Sequence, residues 1–381
     1  MEGIRKKLKI AMIAPLAERV PPEKYGGTER VVHTLTEELV ARGHDVTLFA
    51  SGDSITSAKL ISVAPKSLRK LRIHDPYGLN ELTTLNIGLA YDMQEEFDII
   101  HDHLGNFSMP AANVSKTPVM LTIHGVIDEN CSRLLTTLTG PYVVTISNSQ
   151  IKNAPKINHI GTVYNGLNMD KYPFSQNHDG YLLYVGRISM QKGVHIAIEI
   201  AQKLKILLII AAKLDDVEKP YFEKFIKSKL TGGYVKLIGE IDEKKRNKLM
   251  SRAMAALHPI TWEEPFGLAL IESMACGCPV IAFDRGSIPE VIKNCYSGFI
   301  VKNIREMSAA VLNLPKIVRE NCRKHAIQNF NAKKMIDAYE LLYEEVIERH
   351  KARTEKDRII PQILPQNKLQ LTVSEIKSEI L

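Results

Sequence analysis

Tyr181-Leu182-Leu183-Tyr184-Val185-Gly186-Arg187, continuing through Ile188-Ser189-Met190-Gln191 to Lys192-Gly193, is the stretch at which the chain begins a second α/β unit. The apolar run Tyr181–Val185 predicts a strand, and a helical period starts near Gly193 and runs to about Leu204. The loop between them carries Gly186, Arg187 and Lys192. That set suits a diphosphate: a helix N-terminus offers free N–H groups and a positive dipole end, and two cations neutralise the phosphates. An arginine and a lysine on a loop can equally be solvated, so the loop alone marks architecture and leaves the ligand open.

Downstream, Leu207–Ala211, Val235–Ile238, Ala255–Pro259 and Val280–Phe283 read as further strands. Upstream the same alternation is present in Lys9–Pro15, Asp45–Ala50, Ile99–Asp102, Pro118–His124 and Val143–Ser147. A helix from about Thr28 to Ala41 has Val31, Val32, Leu35, Leu39 and Val40 on its apolar face, and Gly43 is placed to close it in the left-handed conformation. Near-continuously apolar strands separated by helices predict parallel sheets covered on both faces. The expected fold class is therefore α/β, with two doubly wound, Rossmann-like domains facing a cleft, where ligands of such sheets bind. The polar segment Asn165–Gly180, with Pro173, is the expected linker. The expected boundaries are 1–168 for the first domain, 169–330 for the second, 331–350 for a closing helix and 351–381 for a loosely attached tail. The closing helix carries Met335, Ala338, Tyr339, Leu342 and Val346 on one face. Neither half carries a GxGxxG fingerprint, which disfavours a nicotinamide or flavin enzyme.

Composition agrees with this outline. The 381 residues suit two domains, and 45% hydrophobic with 24% charged residues is ordinary for a globular chain. No apolar run reaches the length of a membrane span, and the apolar run Ile10–Leu16 is only strand-length. Cys131, Cys276, Cys278, Cys295 and Cys322 are few, odd in number and set among apolar neighbours, which predicts reduced thiols and a cytoplasmic location. Cys276 and Cys278 lack a second pair at zinc spacing and read as small packed side chains. The net charge of +7 lies wholly in residues 175–381. No uniformly basic, aromatic-interleaved face is present, so nucleic acid is not an expected partner. The local run Lys66, Arg69, Lys70, Arg72 reads as a solvated helix face, with peripheral contact to anionic lipid or an acidic acceptor as the alternative.

A second constellation bears on chemistry. Glu264-Pro265-Phe266-Gly267-Leu268-Ala269-Leu270-Ile271-Glu272 sets two carboxylates around a helix start. Pro265 keeps Glu264 extended in the loop, and Glu272 falls two turns into the helix beside Leu268, Ile271 and Ala275. A carboxylate on that apolar stripe needs a partner, either a pair of sugar hydroxyls or a neighbouring strand. Gly267 allows a ligand close to backbone N–H groups.

These segments together resemble family 4 of the GT-B glycosyltransferases, a retaining group that shares an acidic pair at this spacing after a Gly-Arg…Lys-Gly loop. Ser147-Asn148-Ser149, Tyr164-Asn165-Gly166 and Gly286-Ser287-Ile288-Pro289-Glu290 agree with it. The stretch Arg19-Val20-Pro21-Pro22 with Tyr25-Gly26-Gly27-Thr28-Glu29 resembles a narrower bacterial branch that includes proteins described as UDP-glucose:tetrahydrobiopterin glucosyltransferases. The resemblance covers about residues 8–350. It implies that Arg187 and Lys192 hold the donor diphosphate, Glu272 the ribose hydroxyls, and Glu264 the transferred sugar. Phe266, Gly267 and Leu268 would present backbone N–H groups, and Gly26 and Gly27 would let the first-domain loop close on the β-phosphate. Gly186 belongs to the same donor loop. His124, ending a strand before Gly125, would contact the donor sugar near the reacting centre.

The implied reaction is transfer of a hexose, glucose as first choice, from a nucleotide diphosphate sugar such as UDP-glucose to an acceptor hydroxyl, with retention and without metal or cofactor. The acceptor, whether small molecule, glycan or lipid-linked sugar, is not legible, and neither is oligomeric state. His101 and His103 flank Asp102; they are expected to line the cleft or the acceptor side, with a structural role as the alternative. Arg285 stands where many members have glycine, which points to altered acceptor or phosphate contacts. A GT-B sugar-nucleotide 2-epimerase and a non-catalytic nucleotide- or glycan-binding homologue are the competing readings.

Overall fold

A computed structural model describes residues 6–73, 76–152, 154–230 and 232–352. The expected tail lies outside these residues from position 353 onward. The first sheet has seven strands: β1 Lys9–Ile13, β2 Asp45–Phe49, β3 Lys59–Ile61, β4 Ile99–Asp102, β5 Val119–Ile123, β6 Tyr142–Thr145 and β7 His159–Thr162. All pairings are parallel and the order is β3-β2-β1-β4-β5-β6-β7. The second sheet has six: β8 Leu182–Arg187, β9 Leu208–Lys213, β10 Val235–Leu237, β11 Ala255–His258, β12 Val280–Phe283 and β13 Gly298–Val301. It is also parallel, in the order β10-β9-β8-β11-β12-β13. The chain thus forms the two doubly wound parallel sheets expected from the sequence.

The pleat explains why these strands look continuously apolar. In β1, Ile10 and Met12 face the helix Gly27–Ala41, while Ala11 and Ile13 face the opposite layer with Ile87, Tyr91 and Ala112. In the second sheet Leu183 packs toward the helices Leu268–Ala275 and Arg319–Phe330, and its neighbours Leu182 and Tyr184 pack toward Val194–Leu204 and Ile304–Leu312. Both faces are dry, so both residue parities must be apolar. The three strands not expected from the sequence, β3, β7 and β13, all sit at sheet edges. An edge strand has one neighbour and needs less apolar sequence, and β7 (His-Ile-Gly-Thr) carries only one large apolar residue.

The helix Ala332–Ala352 returns to the first domain. Met335, Ile336, Tyr339, Tyr343 and Val346 pack with Ile10, Met12 and Val144, whereas Ala338 and Leu342 are only partly buried there. Gly43 does close the helix Gly27–Ala41 with φ +89°. The run Lys66–Arg72 forms turns and not a helix. Arg69 pairs with Glu18, and Lys70 bridges Glu23 at 2.7 Å and Asp53 at 3.2 Å. Four cysteines are buried, but Cys295 is exposed, contrary to the apolar setting expected of all five. No helix among the described residues is long and apolar enough to cross a membrane.

In each sheet the strand order reverses next to the first strand of its unit, between β1 and β4 and between β8 and β11. Loops leaving these strands diverge and open a crevice. Gly193, at the N-cap of the helix after β8, has φ +69°, and a Cβ there would lie 2.0 Å from the Pro259 carbonyl oxygen. Gly193→Ala is therefore expected to cost about 3 kcal/mol, seen as a lower thermal midpoint. An unchanged midpoint would show that the backbone yields there.

Candidate active site

The two crevices face each other across a cleft of ≈ 400 Å³. Its second-domain wall is built from the ends of β8 and β11 and the start of the helix Leu268–Ala275. Tyr184, buried in β8, shares its hydroxyl between the Arg187 carbonyl at 2.9 Å and the Lys192 carbonyl at 3.3 Å. That bond ties the two ends of the 187–192 loop together, and the Thr261 N–H bonds the Gln191 carbonyl at 2.9 Å. Arg187 lines the cleft with its Nε buried and no hydrogen bond or ion pair from its guanidinium among the described residues. Lys192 instead has a protein partner, with Nζ 2.6 Å from Glu264 Oε2 and 4.8 Å from the Trp262 ring centre. Glu264 Oε2 also accepts from Trp262 Nε1 at 2.7 Å.

The Glu264 loop is held from behind. The Ser287 N–H bonds the Glu264 carbonyl at 2.9 Å, and Ser287 Oγ bonds the Phe266 carbonyl at 3.0 Å. The Phe266 side chain is core, edge-on to Phe330, so only its backbone can serve a ligand. Gly267 is the left-handed N-cap of the helix, φ +85°, and Leu268 follows it at the cleft. Glu272 lines the cleft from within this helix; its Oε1 accepts from Arg246, Arg30 and Tyr172.

From the first domain come Gly26 and Gly27 at the start of the helix after β1. A Cβ on Gly26, at φ +148°, would meet Pro22 at 2.7 Å, and one on Gly27 would lie 3.3 Å from the Leu268 side chain. Both glycines thus have packing reasons in addition to any close ligand. A Cβ on Gly186, by contrast, would lie 3.6 Å from its nearest neighbour, the Tyr184 hydroxyl, which is ordinary contact. Glu29, in the first helical turn, lines the cleft, and burial pushes its carboxyl up to about 7.

His124 lines the cleft just beyond β5. Burial pushes it down to about 4, which keeps it neutral at physiological pH. Its Nε2 lies 2.9 Å from His103 Nδ1. His101 and His103 do not line the cleft. His101 is fully buried between Tyr343 OH at 2.7 Å and Thr122 Oγ1 at 2.8 Å, and His103 sits behind His124 against Met12 Sδ at 3.1 Å. The two are two residues apart at the end of β4, so both take the side covered by the closing helix. Asp102 takes the other side and bonds Tyr91 OH at 3.0 Å. Burial pushes both histidines well down, as expected of neutral core groups. Arg285 points outward, 3.8 Å from Glu263, and lines neither the donor cleft nor the cavity behind Glu264. Among the described residues no three His, Cys, Asp or Glu side chains converge as a metal site.

Sequence reading missed several wall residues. Trp262, the chain's single tryptophan, stands two positions before Glu264 and was the most findable. His258 ends β11, buried, with no hydrogen bond to Nε2 among the described residues and its pKa pushed down to about 3 by burial. Tyr25 crosses to the second domain, its N–H bonding Glu240 at 3.2 Å and its ring under Lys213 at 5.7 Å. Glu290 gathers three of the sequence segments, accepting from the N–H groups of Asn148 and Ser149 at 2.7 Å each and from Tyr164 OH at 2.9 Å.

With this geometry in place, comparison with known proteins identifies the class. Residues 168–335 match the family model "Glycosyl transferases group 1", and residues 25–170 match "Glycosyltransferase Family 4". The chain is 25% identical to an uncharacterized glycosyltransferase of Methanocaldococcus jannaschii over 77% of its length and 85% of the relative. It is 25% identical to the glycogen synthase of Mycobacterium tuberculosis over 76% of its length and 83% of that protein. Anabaena HepE, solved in complex with UDP and glucose, has the same fold: TM-score 0.69 at 19% identity, covering 89% of this chain and 100% of that one. The chain is a glycosyltransferase, of the GT-B type and of family 4.

Proposed function

We propose that this enzyme transfers a hexose from a nucleotide diphosphate sugar to an acceptor hydroxyl with retention of configuration and without a divalent ion. The observation that carries the reading is Arg187, whose guanidinium makes no hydrogen bond or ion pair among the described residues, at the wall of a cleft that also holds Lys192 and Glu264. Departure of the nucleotide develops negative charge on the diphosphate, and fixed cations and amides stabilise it without reorganising. Glu264, its one oxygen held by Lys192 and Trp262, faces the transferred sugar, and neutral His124 faces it from the first domain. The acceptor hydroxyl attacks from the leaving-group side and its proton passes to a phosphate oxygen. UDP-glucose is the favoured donor, from the N-terminal resemblance and from the UDP and glucose bound by Anabaena HepE. The tetrahydrobiopterin-type branch makes a pterin one acceptor to include. An epimerase has no need of this carboxylate pair with the Arg/Lys loop.

Nucleotide release from UDP- and GDP-sugars, with mass spectrometry of the product, tests the reading. An α-glycoside plus free UDP is expected from UDP-glucose, at the same rate with and without EDTA. Conversion of UDP-N-acetylglucosamine to its 2-epimer, binding without turnover, or a rate abolished by EDTA would each overturn the corresponding part.

A further inference from the structure

Glu272 is held more elaborately than a ligand-binding carboxylate requires. Oε1 accepts from Arg246 Nη2 at 2.9 Å, from Arg30 Nη1 at 3.2 Å and from the Tyr172 hydroxyl at 3.3 Å. Among the described residues no hydrogen bond reaches Oε2, although Glu272 lines the cleft and its side chain is only 4% exposed. Three donors on one oxygen offset the cost of burying the charge and fix the plane of the carboxylate. The other oxygen keeps its lone pairs for a ligand.

The donors come from separate parts of the chain. Arg246 belongs to the helix Glu243–Arg252, Tyr172 to the segment joining the two sheets, and Arg30 to the helix Gly27–Ala41 of the first domain. Arg30 also lies 3.3 Å from Glu243, which is 4.0 Å from Arg246. Two arginines and two carboxylates thus form a charge-balanced network that crosses from one domain to the other.

We propose that Arg30 and Arg246 are positioning residues for ribose recognition: by holding Oε1 they present Oε2 to the ribose hydroxyls, and Arg30 makes that presentation depend on contact between the domains. The inference rests on the donor reading above. It follows that nucleotide binding and engagement of the first-domain helix strengthen each other by the same factor. A purely structural ion pair would stabilise the fold without caring whether the ribose carries its hydroxyls.

The test is calorimetric titration of the full-length protein with UDP and with 2′-deoxy-UDP, for wild type, Arg30→Gln and Arg246→Met. Wild type is expected to prefer UDP by about tenfold, the worth of one hydrogen bond to a charged group. Each variant is expected to bind UDP about tenfold more weakly and to discriminate less than about threefold. Wild-type discrimination retained in both variants overturns the proposal, as does a wild type that binds the two nucleotides equally. If Arg246→Met fails to give a cooperative melt, Arg30→Gln, at the domain boundary, decides alone. A wild type that binds neither nucleotide overturns the donor reading itself, and is distinguished because no variant is needed to see it.

Discussion

Arg187→Ala is expected to lower kcat/KM for transfer by about 10³-fold while moving the thermal midpoint by no more than about 2 °C. Both halves follow from one fact. The guanidinium makes no hydrogen bond or ion pair among the described residues and its Nε is buried, so its removal breaks no polar contact among them. What it removes is a fixed positive charge at the wall where leaving-group charge would develop, in a site partly screened from water, where such a charge is worth most. Arg187→Lys keeps the charge but not the planar two-pronged donor, and is expected to fall between, at about 30-fold. Steady-state nucleotide release beside a melting curve checks the pair. A near-wild-type rate in Arg187→Ala would remove the diphosphate from this wall, and a fall of many degrees would mean that the arginine is structural.

Glu264→Gln is expected to reduce kcat by at least about 100-fold with nucleotide affinity within about threefold. The amide preserves shape and can still accept from Trp262 Nε1, but it leaves Lys192 Nζ without the carboxylate now 2.6 Å away. It also removes the negative charge that, on the proposed function, would face the sugar as positive charge builds at its anomeric carbon. Because the proposal gives the nucleotide to other groups, the loss should fall on turnover and not on binding. Product formation in single-turnover mixing, with UDP affinity measured separately, separates the two. A kcat within threefold of wild type, or an equal loss in nucleotide affinity, would assign Glu264 to binding or to support of the loop.

Much of this molecule was legible before any coordinates. The alternation of dry strands and amphipathic helices restarts at Tyr181, and the two sheets start where that reading placed them, at β1 and β8. The Gly186-Arg187…Lys192-Gly193 loop and the Glu264…Glu272 pair were also legible, because each lies on one strand–turn–helix unit whose geometry is set by residues a few positions apart. Local chain stiffness, a proline, a helix period and a left-handed glycine suffice to say which side chains emerge together. Three of the four edge strands, β3, β7 and β13, escaped, since one-sided pairing leaves little mark on composition.

Arg30 and Glu272 are 242 positions apart, as are His101 and Tyr343. No local rule relates such residues. Which arginine reaches Glu272 depends on how the two domains meet, and which face of β4 is dry depends on a closing helix that returns to the first domain. The sequence by itself determined the two-sheet fold, the Gly186-Arg187…Lys192-Gly193 loop and the carboxylate pair. Only the tertiary structure decided that Lys192 pairs with Glu264, that His101 and His103 belong to the core, and that both domains hold Glu272, because these rest on contacts made after the chain has folded back across itself.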